Sequence, residues 1–444
     1  MVVTRHRLFV PTLVFMVLAS AAIVALALAL RPGLSGPAAA ALEQVQAAAG
    51  QRPANRTDRL IWDAQQRLRK APDDTEAAAA LGWAYIQKVR ETGDPTYYGK
   101  AKAVLDDALR RDPANIEALI GKGTLALAQH QFRDALRLGE QARALNPTVP
   151  RVYGVIADAQ TELGMYDEAV ATLQSMLDMR PDLASYSRAA YARELHGDLD
   201  GAIEAMRLAV SAGGPTSENT EWTRVQLGHL FFAKGDLKSA EIAYQTSLAR
   251  LPDYVYALAG LGRVRAAQGQ LDEAVALYGR AIQRMPLPEF VIALGETLEA
   301  AGRTEEAARQ YALVGAMQQL FAANGVDTDL ELALFNADHG HDPQAAVALA
   351  RAAYERRPSI KAADTLAWAL YKAGQPAEAR RYADDALRLG TKDSLMLFHA
   401  GMIAKAQGDR TTARARLGEA LALNPNFSPL YAPQARVALA ELTR

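Results

Sequence analysis

Along most of the chain, apolar residues recur three and four positions apart, in short stretches broken by polar turns. That period puts them on one face of an α-helix. Val255 to Pro286, VYALAGLGRVRAAQGQLDEAVALYGRAIQRMP, shows the unit. A first helix ends at Gly269, Asp272 caps or charges the start of a second, and Pro286 closes it. The turn returns as GMYDEA at Gly164, GDLDGA at Gly197, GDLKSA at Gly235, GRTEEA at Gly302, GQPAEA at Gly374 and GDRTTA at Gly408. Acidic residues early in most of these second helices suit the helix dipole.

The prolines count the units. Pro113, Pro147, Pro181 and Pro215 stand 34 apart, and so do Pro252 and Pro286. Pro72 to Pro113 is 41, Pro215 to Pro252 is 37, Pro286 to Pro358 is 72 and Pro358 to Pro425 is 67. The spacing predicts ten units, starting near Thr75, Ile116, Pro150, Leu183, Glu221, Val255, Pro288, Asp327, Ile360 and Ser394. Small residues fall where helices must approach closely: Gly82, Gly123, Ala157, Gly228, Gly262, Gly295 and Gly401 in first helices, Ala274, Ala307 and Ala413 in second ones. Unit seven lacks its closing proline, and its second helix is expected to run from Glu305 to about Ala322 before the loop ANGVDTD. That departure reads as a hinge or as a tolerated surface insertion.

Leu258, Leu261, Gly262, Arg265, Gly269, Ala274, Tyr278, Ala281 and Pro286 recur at nearly these offsets in the other units. With its period, this pattern resembles the tetratricopeptide repeat family. The resemblance implies an all-α fold, a right-handed superhelical α-solenoid of helix-turn-helix repeats whose concave wall is built by the first helices. No unit buries its apolar face alone, so each leans on the next.

The amino-terminal end differs. Leu8 to Leu30 is a run of 23 residues without a charge. As a helix it would span about 34 Å, enough for a bilayer core. Arg5 and Arg7 precede it and Arg31 is the one base between it and Arg52, a bias that puts the amino terminus in the cytoplasm and the repeats outside. The rival reading is a cleaved signal peptide, with triplets such as Ala27-Leu28-Ala29 as the site; the length of the run favours a retained anchor. The expected organisation is a cytoplasmic tail over 1–7, a transmembrane helix over 8–30, and a linker over 31–58 holding a short alanine-rich helix. The repeat array follows over 59–425, opened by a half repeat capped by Thr57 or Asp58, and then a capping helix within 426–444, starting at Pro433.

Composition narrows the function. The net charge is −1, so no global field draws the chain to nucleic acid. There is no cysteine, which removes thiol catalysis, disulfides and zinc-thiolate sites. No phosphate-binding loop, H-E-x-x-H or G-x-S-x-G motif occurs, and carboxylates follow helix caps and faces. His339-Gly-His341-Asp342 is the one cluster weighed as a metal site, and it reads as a solvated turn. No catalytic residue, metal, cofactor or small-molecule substrate is expected.

That leaves surface as the working part. Carrying over the concave wall of the repeat family, the groove would present Trp83, Arg188, Tyr191, Trp222, His229, Phe232, Arg263, Phe335, Trp368, Tyr371 and Phe398, with Thr124, Asp158, Glu162, Glu296, Lys361, Lys372 and Lys405 as polar companions. The expected partner is a protein or peptide segment, docked as a helix or extended strand. The resemblance also extends to bacterial proteins with one anchor followed by such repeats. These serve cytochrome c maturation, pilus or secretion assembly, translocon support and exopolysaccharide export, and the expected place is the inner membrane with the repeats in the periplasm.

Overall fold

The computed structural model describes residues 55–215, 217–340 and 342–444. The expected tail, membrane helix and most of the linker lie outside the described residues, as does His341. Among the described residues no helix is long and apolar enough to cross a membrane. The chain divides after Trp62, and the hairpins all belong to the second unit, Asp63–Arg444.

The described residues form 22 helices and no strand. Helix Arg56–Lys70 comes first. Unit 1 pairs Thr75–Thr92 with Thr96–Arg111, unit 2 Ile116–Ala128 with Phe132–Leu145, and unit 3 Pro150–Glu162 with Tyr166–Met179. Units 4, 5 and 6 pair Leu183–Leu195 with Leu199–Ala212, Glu218–Ala233 with Leu237–Arg250, and Val255–Ala267 with Leu271–Arg284. Units 7 and 8 pair Pro288–Ala300 with Thr304–Ala323, and Asp329–His339 with Pro343–Arg356. Units 9 and 10 pair Ile360–Lys372 with Pro376–Ala386, and Ser394–Ala406 with Arg410–Leu423; Tyr431–Thr443 follows.

Where the starts differ from the spacing, a polar side chain decides. Asn55 rather than Thr57 or Asp58 caps the opening helix, its Oδ1 accepting the Thr57 and Asp58 amides at 2.8 and 3.3 Å. Unit 8 begins at Asp329, not Asp327, because Asp327 turns its Oδ1 to the Asp329 amide at 3.1 Å. The last helix starts at Tyr431, not Pro433, with Ser428 Oγ accepting the Tyr431 amide at 3.1 Å. Unit 5 begins at Glu218, three residues ahead of the spacing.

Each hairpin is closed by a large side chain lying over a small one. The fully buried Tyr244 ring lies between Gly228 and Gly260, and a Cβ on either would intrude on it. Gly262 is looser, its Cβ position 3.2 Å from the Tyr278 ring. Ala274, Ala307 and Ala413 are buried. Pro113, Pro147, Pro181, Pro252, Pro286, Pro358 and Pro425 stand in the loops between helices, where a missing amide costs nothing.

The array also closes on itself. The inner turn of each of the first five units meets the loop that follows the unit five further on. In unit 2, Gln129 Nε2 donates to Asn324 O at 2.8 Å, Gln131 Nε2 to Gly325 O at 3.0 Å, and Asp327 N to Gln129 O at 3.0 Å. Tyr166 Oη of unit 3 accepts the Ile360 amide at 2.8 Å. Leu195 O of unit 4 accepts Thr391 Oγ1 at 2.5 Å, and Phe232 O of unit 5 accepts Asn424 Nδ2 at 2.7 Å. In unit 1, Gly93 packs on Met285 and Leu287. These bonds span 192 to 198 residues, so one turn of the coil is seated on the next. The loop after unit 7 is therefore a clasp bonded to unit 2, which accounts for its extra length better than a hinge does.

Candidate functional site

Seating one turn on the next leaves a partly open cavity of about 720 Å³. The first helices of units 6, 7 and 8 give its wall residues spaced seven apart, Tyr256 with Arg263, Glu289 with Glu296, and Glu331 with Asp338. Two helical turns return a side chain to the same face, so each pair looks the same way. Closure adds residues from outside the first helices. Tyr98 comes from the second helix of unit 1, and Gln318 and Phe321 from the added turn of unit 7.

The lining is acidic, with five carboxylates against the two guanidiniums of Arg90 and Arg263. Asp393 is spent capping its helix, accepting the Leu395 and Met396 amides at 2.8 and 3.0 Å. Asp338 accepts Trp368 Nε1 at 2.6 Å and the Tyr431 hydroxyl. Glu331 lies 3.6 Å from the Arg357 guanidinium and 3.7 Å from His130 Nδ1. Glu296 faces His339 Nε2 at 3.4 Å. Among the described residues no ion pair reaches Glu289. It lines the cavity and is exposed to solvent. Desolvation and then the nearby Glu331 push its carboxyl above the usual range. Desolvation likewise pushes the Tyr256 hydroxyl up to about 12.

Arg263 lays its guanidinium over the Phe232 ring, 4.1 Å from the centroid. Beside it, His229 Nδ1 is 2.7 Å from the Tyr244 hydroxyl. Burial and then the Arg263 charge hold that imidazole down to about 3, so it is neutral at ordinary pH.

Of the residues expected along the groove, the cavity takes Arg263 and Phe335, together with Glu296 among the polar companions. The others hold the coil together. Trp83 donates Nε1 to Glu117 O at 3.2 Å, and Arg90 covers Trp222 at 5.5 Å. Arg188 grips Asp158 through two bonds of 2.8 and 2.7 Å. Lys361 of unit 9 covers Tyr191 of unit 4 at 5.0 Å, and Tyr371 stacks on Trp368 at 5.0 Å. Phe232, Trp368 and Phe398 are a correction: at 1%, 2% and 0% exposed they are core, not wall. The histidine turn also resolves into structure. His339 stacks on Tyr311 at 4.2 Å, and Asp342 accepts the Gln344 and Ala345 amides. Among the described residues no group of side chains is arranged to hold a metal ion.

Missed by the sequence reading were Glu289, Glu331, Asp338 and Gln318. The signal for the acids was the seven-residue pairing; Gln318 had none, because it joins the wall only through closure.

The fold and its cavity wall define a helical-repeat binding scaffold. The tetratricopeptide repeat is matched at residues 126–194, 225–287 and 267–316, so the chain carries repeats of that family. It is similar to the cellulose synthase operon protein C of Xanthomonas axonopodis pv. citri (strain 306), 26% identical over 362 residues, 78% of this chain and 20% of that protein. It is also similar to the protein of the same name from Pseudomonas fluorescens (strain SBW25), 24% identical over 303 residues, 64% of this chain and 24% of the other. The chain thus spans about a fifth to a quarter of the length of these curated relatives. Among solved structures, the human IFIT1 dimer with PPP-AAAA aligns with TM-score 0.48 and 18% identity over 74% of this chain and 77% of that one. The APC/C hetero-tetramer Cut9–Hcn1 aligns with TM-score 0.37 and 13% identity over 88% of this chain and 97% of that one. Neither likeness carries an argument about this chain.

Proposed function

We propose that the chain is a non-enzymatic scaffold that receives a segment of a partner polypeptide inside its coil. The N-terminal helix holds it at the bacterial inner membrane with the repeats on the periplasmic side, in support of an envelope assembly. The observation that carries this reading is the cavity wall: aromatic rings and polar groups left without partners face one partly open cavity, and such a surface gains most by being covered. The test is selection of short random peptides on the immobilised full chain. Enrichment that is lost when Phe335→Ala alters the wall supports the reading, and no enrichment contradicts it. A reporter active only in the periplasm, fused after Arg444, must be active if the topology is right.

A second reading is a scaffold of exopolysaccharide export, and the two relatives called cellulose synthase operon protein C favour it. Here the rings would stack sugars as well as protein. Capture of glucan oligosaccharides by the same immobilised chain, where peptides fail, would decide for it.

A further inference from the structure

We infer that the cavity selects a partner segment by a lysine or arginine side chain, seated between Glu289 and Glu296 with its hydrogen-bond donors shared by Gln318. This rests on the proposed peptide-binding function and names the chemistry of the segment.

Three observations converge. The wall holds more carboxylate than cation, and neither Glu289 nor Glu296 has a lysine or arginine within ion-pair distance among the described residues. The cations that line the cavity are engaged elsewhere. Arg90 reaches Glu218 at 3.3 Å, and Arg263 lies on the Phe232 ring. Independently of the acids, Gln318 lines the cavity at 4% exposed, and its Oε1 has no hydrogen-bond partner. A buried acceptor left unmatched is costly, and it calls for a donor from outside the chain.

The flanking surface fits the same guest. Tyr256 and Phe335 line the cavity beside the acids, and ring faces attract a cation stripped of water. A guanidinium or ammonium would serve the carboxylates, Gln318 and the rings together. An acidic segment would meet like charge along this wall. Glu289 is the most exacting member of the set. Desolvation by the surrounding protein and the Glu331 charge disfavour its ionised form, so an incoming cation relieves a cost already present.

The experiment compares peptides selected by the full chain with those selected by Glu289→Gln and Glu296→Gln. The expected result is a bias to lysine or arginine in the native selection. An arginine peptide so obtained should bind about tenfold or more weaker to either variant, and replacing its arginine by citrulline should cost a similar factor. Glu331→Gln is the control for general loss of charge and should cost less. Peptides enriched without a basic residue, or an arginine preference untouched by both substitutions, would overturn the inference and leave the peptide scaffold standing. No peptide enriched at all would overturn the scaffold reading. Circular dichroism melts of the variants separate misfolding from lost recognition, and a folded variant that binds like the native chain counts against the inference.

Discussion

Asn424 donates its Nδ2–H to the carbonyl of Phe232 at 2.7 Å, although 192 residues separate them. Asn424 ends the tenth hairpin and Phe232 ends the first helix of the fifth. The bond is buried, and it is repeated in kind where Thr391 meets Leu195 and where Ile360 meets Tyr166. Holding two turns together in this way turns a ribbon of hairpins into a container.

Asn424→Ala removes this donor, while the Phe232 carbonyl keeps the Gly235 amide at 2.9 Å. The expected loss is about 0.5–1.5 kcal/mol in urea unfolding. Hydrogen exchange should quicken at the amides of Lys234 to Asp236, the turn it steadies. Unchanged exchange there would show that the bond holds nothing.

Two glycines separate backbone strain from closure. Gly197 and Gly408 occupy the same turn of their units with φ of +76° and +78°. A Cβ on Gly197 would run into the Gly390 carbonyl of the next coil turn, whereas one on Gly408 meets open space. Gly408→Ala should cost about 1 kcal/mol, the strain of a left-handed alanine. Gly197→Ala should cost about 1–3 kcal/mol more through overpacking. Equal losses in thermal melts would argue against the seam.

Trp368 tests core against wall. It is 2% exposed, bonded to Asp338 at 2.6 Å and stacked on His399 at 4.1 Å. Trp368→Ala should lower stability by about 3–5 kcal/mol. A variant that melted like the native chain but failed to bind partner would return this residue to the wall.

His229 gives the pH dependence. Its folded value near 3 lies below its ordinary 6.5, so between these the unfolded chain takes up a proton that the folded chain refuses. Stability is therefore full above about pH 6.5 and is lost as pH falls toward about 3. His229→Gln should flatten that part of the curve when urea midpoints are compared at about pH 7.5 and about pH 5. An unchanged slope would place the imidazole in water.

Most of the helices could be read directly, because each carries its punctuation locally. Turn glycines such as Gly164 and Gly269, loop prolines such as Pro147 and Pro286, and small residues such as Gly228 all act within one hairpin or its neighbour. The wall was less legible. A first helix was taken to have one inward face, but in units 9 and 10 the coil packs it on nearly every side; Ile360 and Ala362 through Leu370 are all buried. That is why Trp368 and Phe398 read as wall and lie in core. Closure itself leaves no periodic trace, since Gln129, Thr391 and Asn424 are each ordinary loop residues in their own stretch.

The seam can be tested through the absence of cysteine from the chain. Arg133 of unit 2 bonds the Arg356 carbonyl of unit 8 at 3.2 Å, across 223 residues. With Arg133→Cys and Arg356→Cys in one chain, a short bis-maleimide should join them within the monomer, giving a faster-migrating band in denaturing gels that neither single variant shows. An open ribbon of hairpins would keep the two positions apart, and a double variant that stayed unlinked while folded would contradict the container.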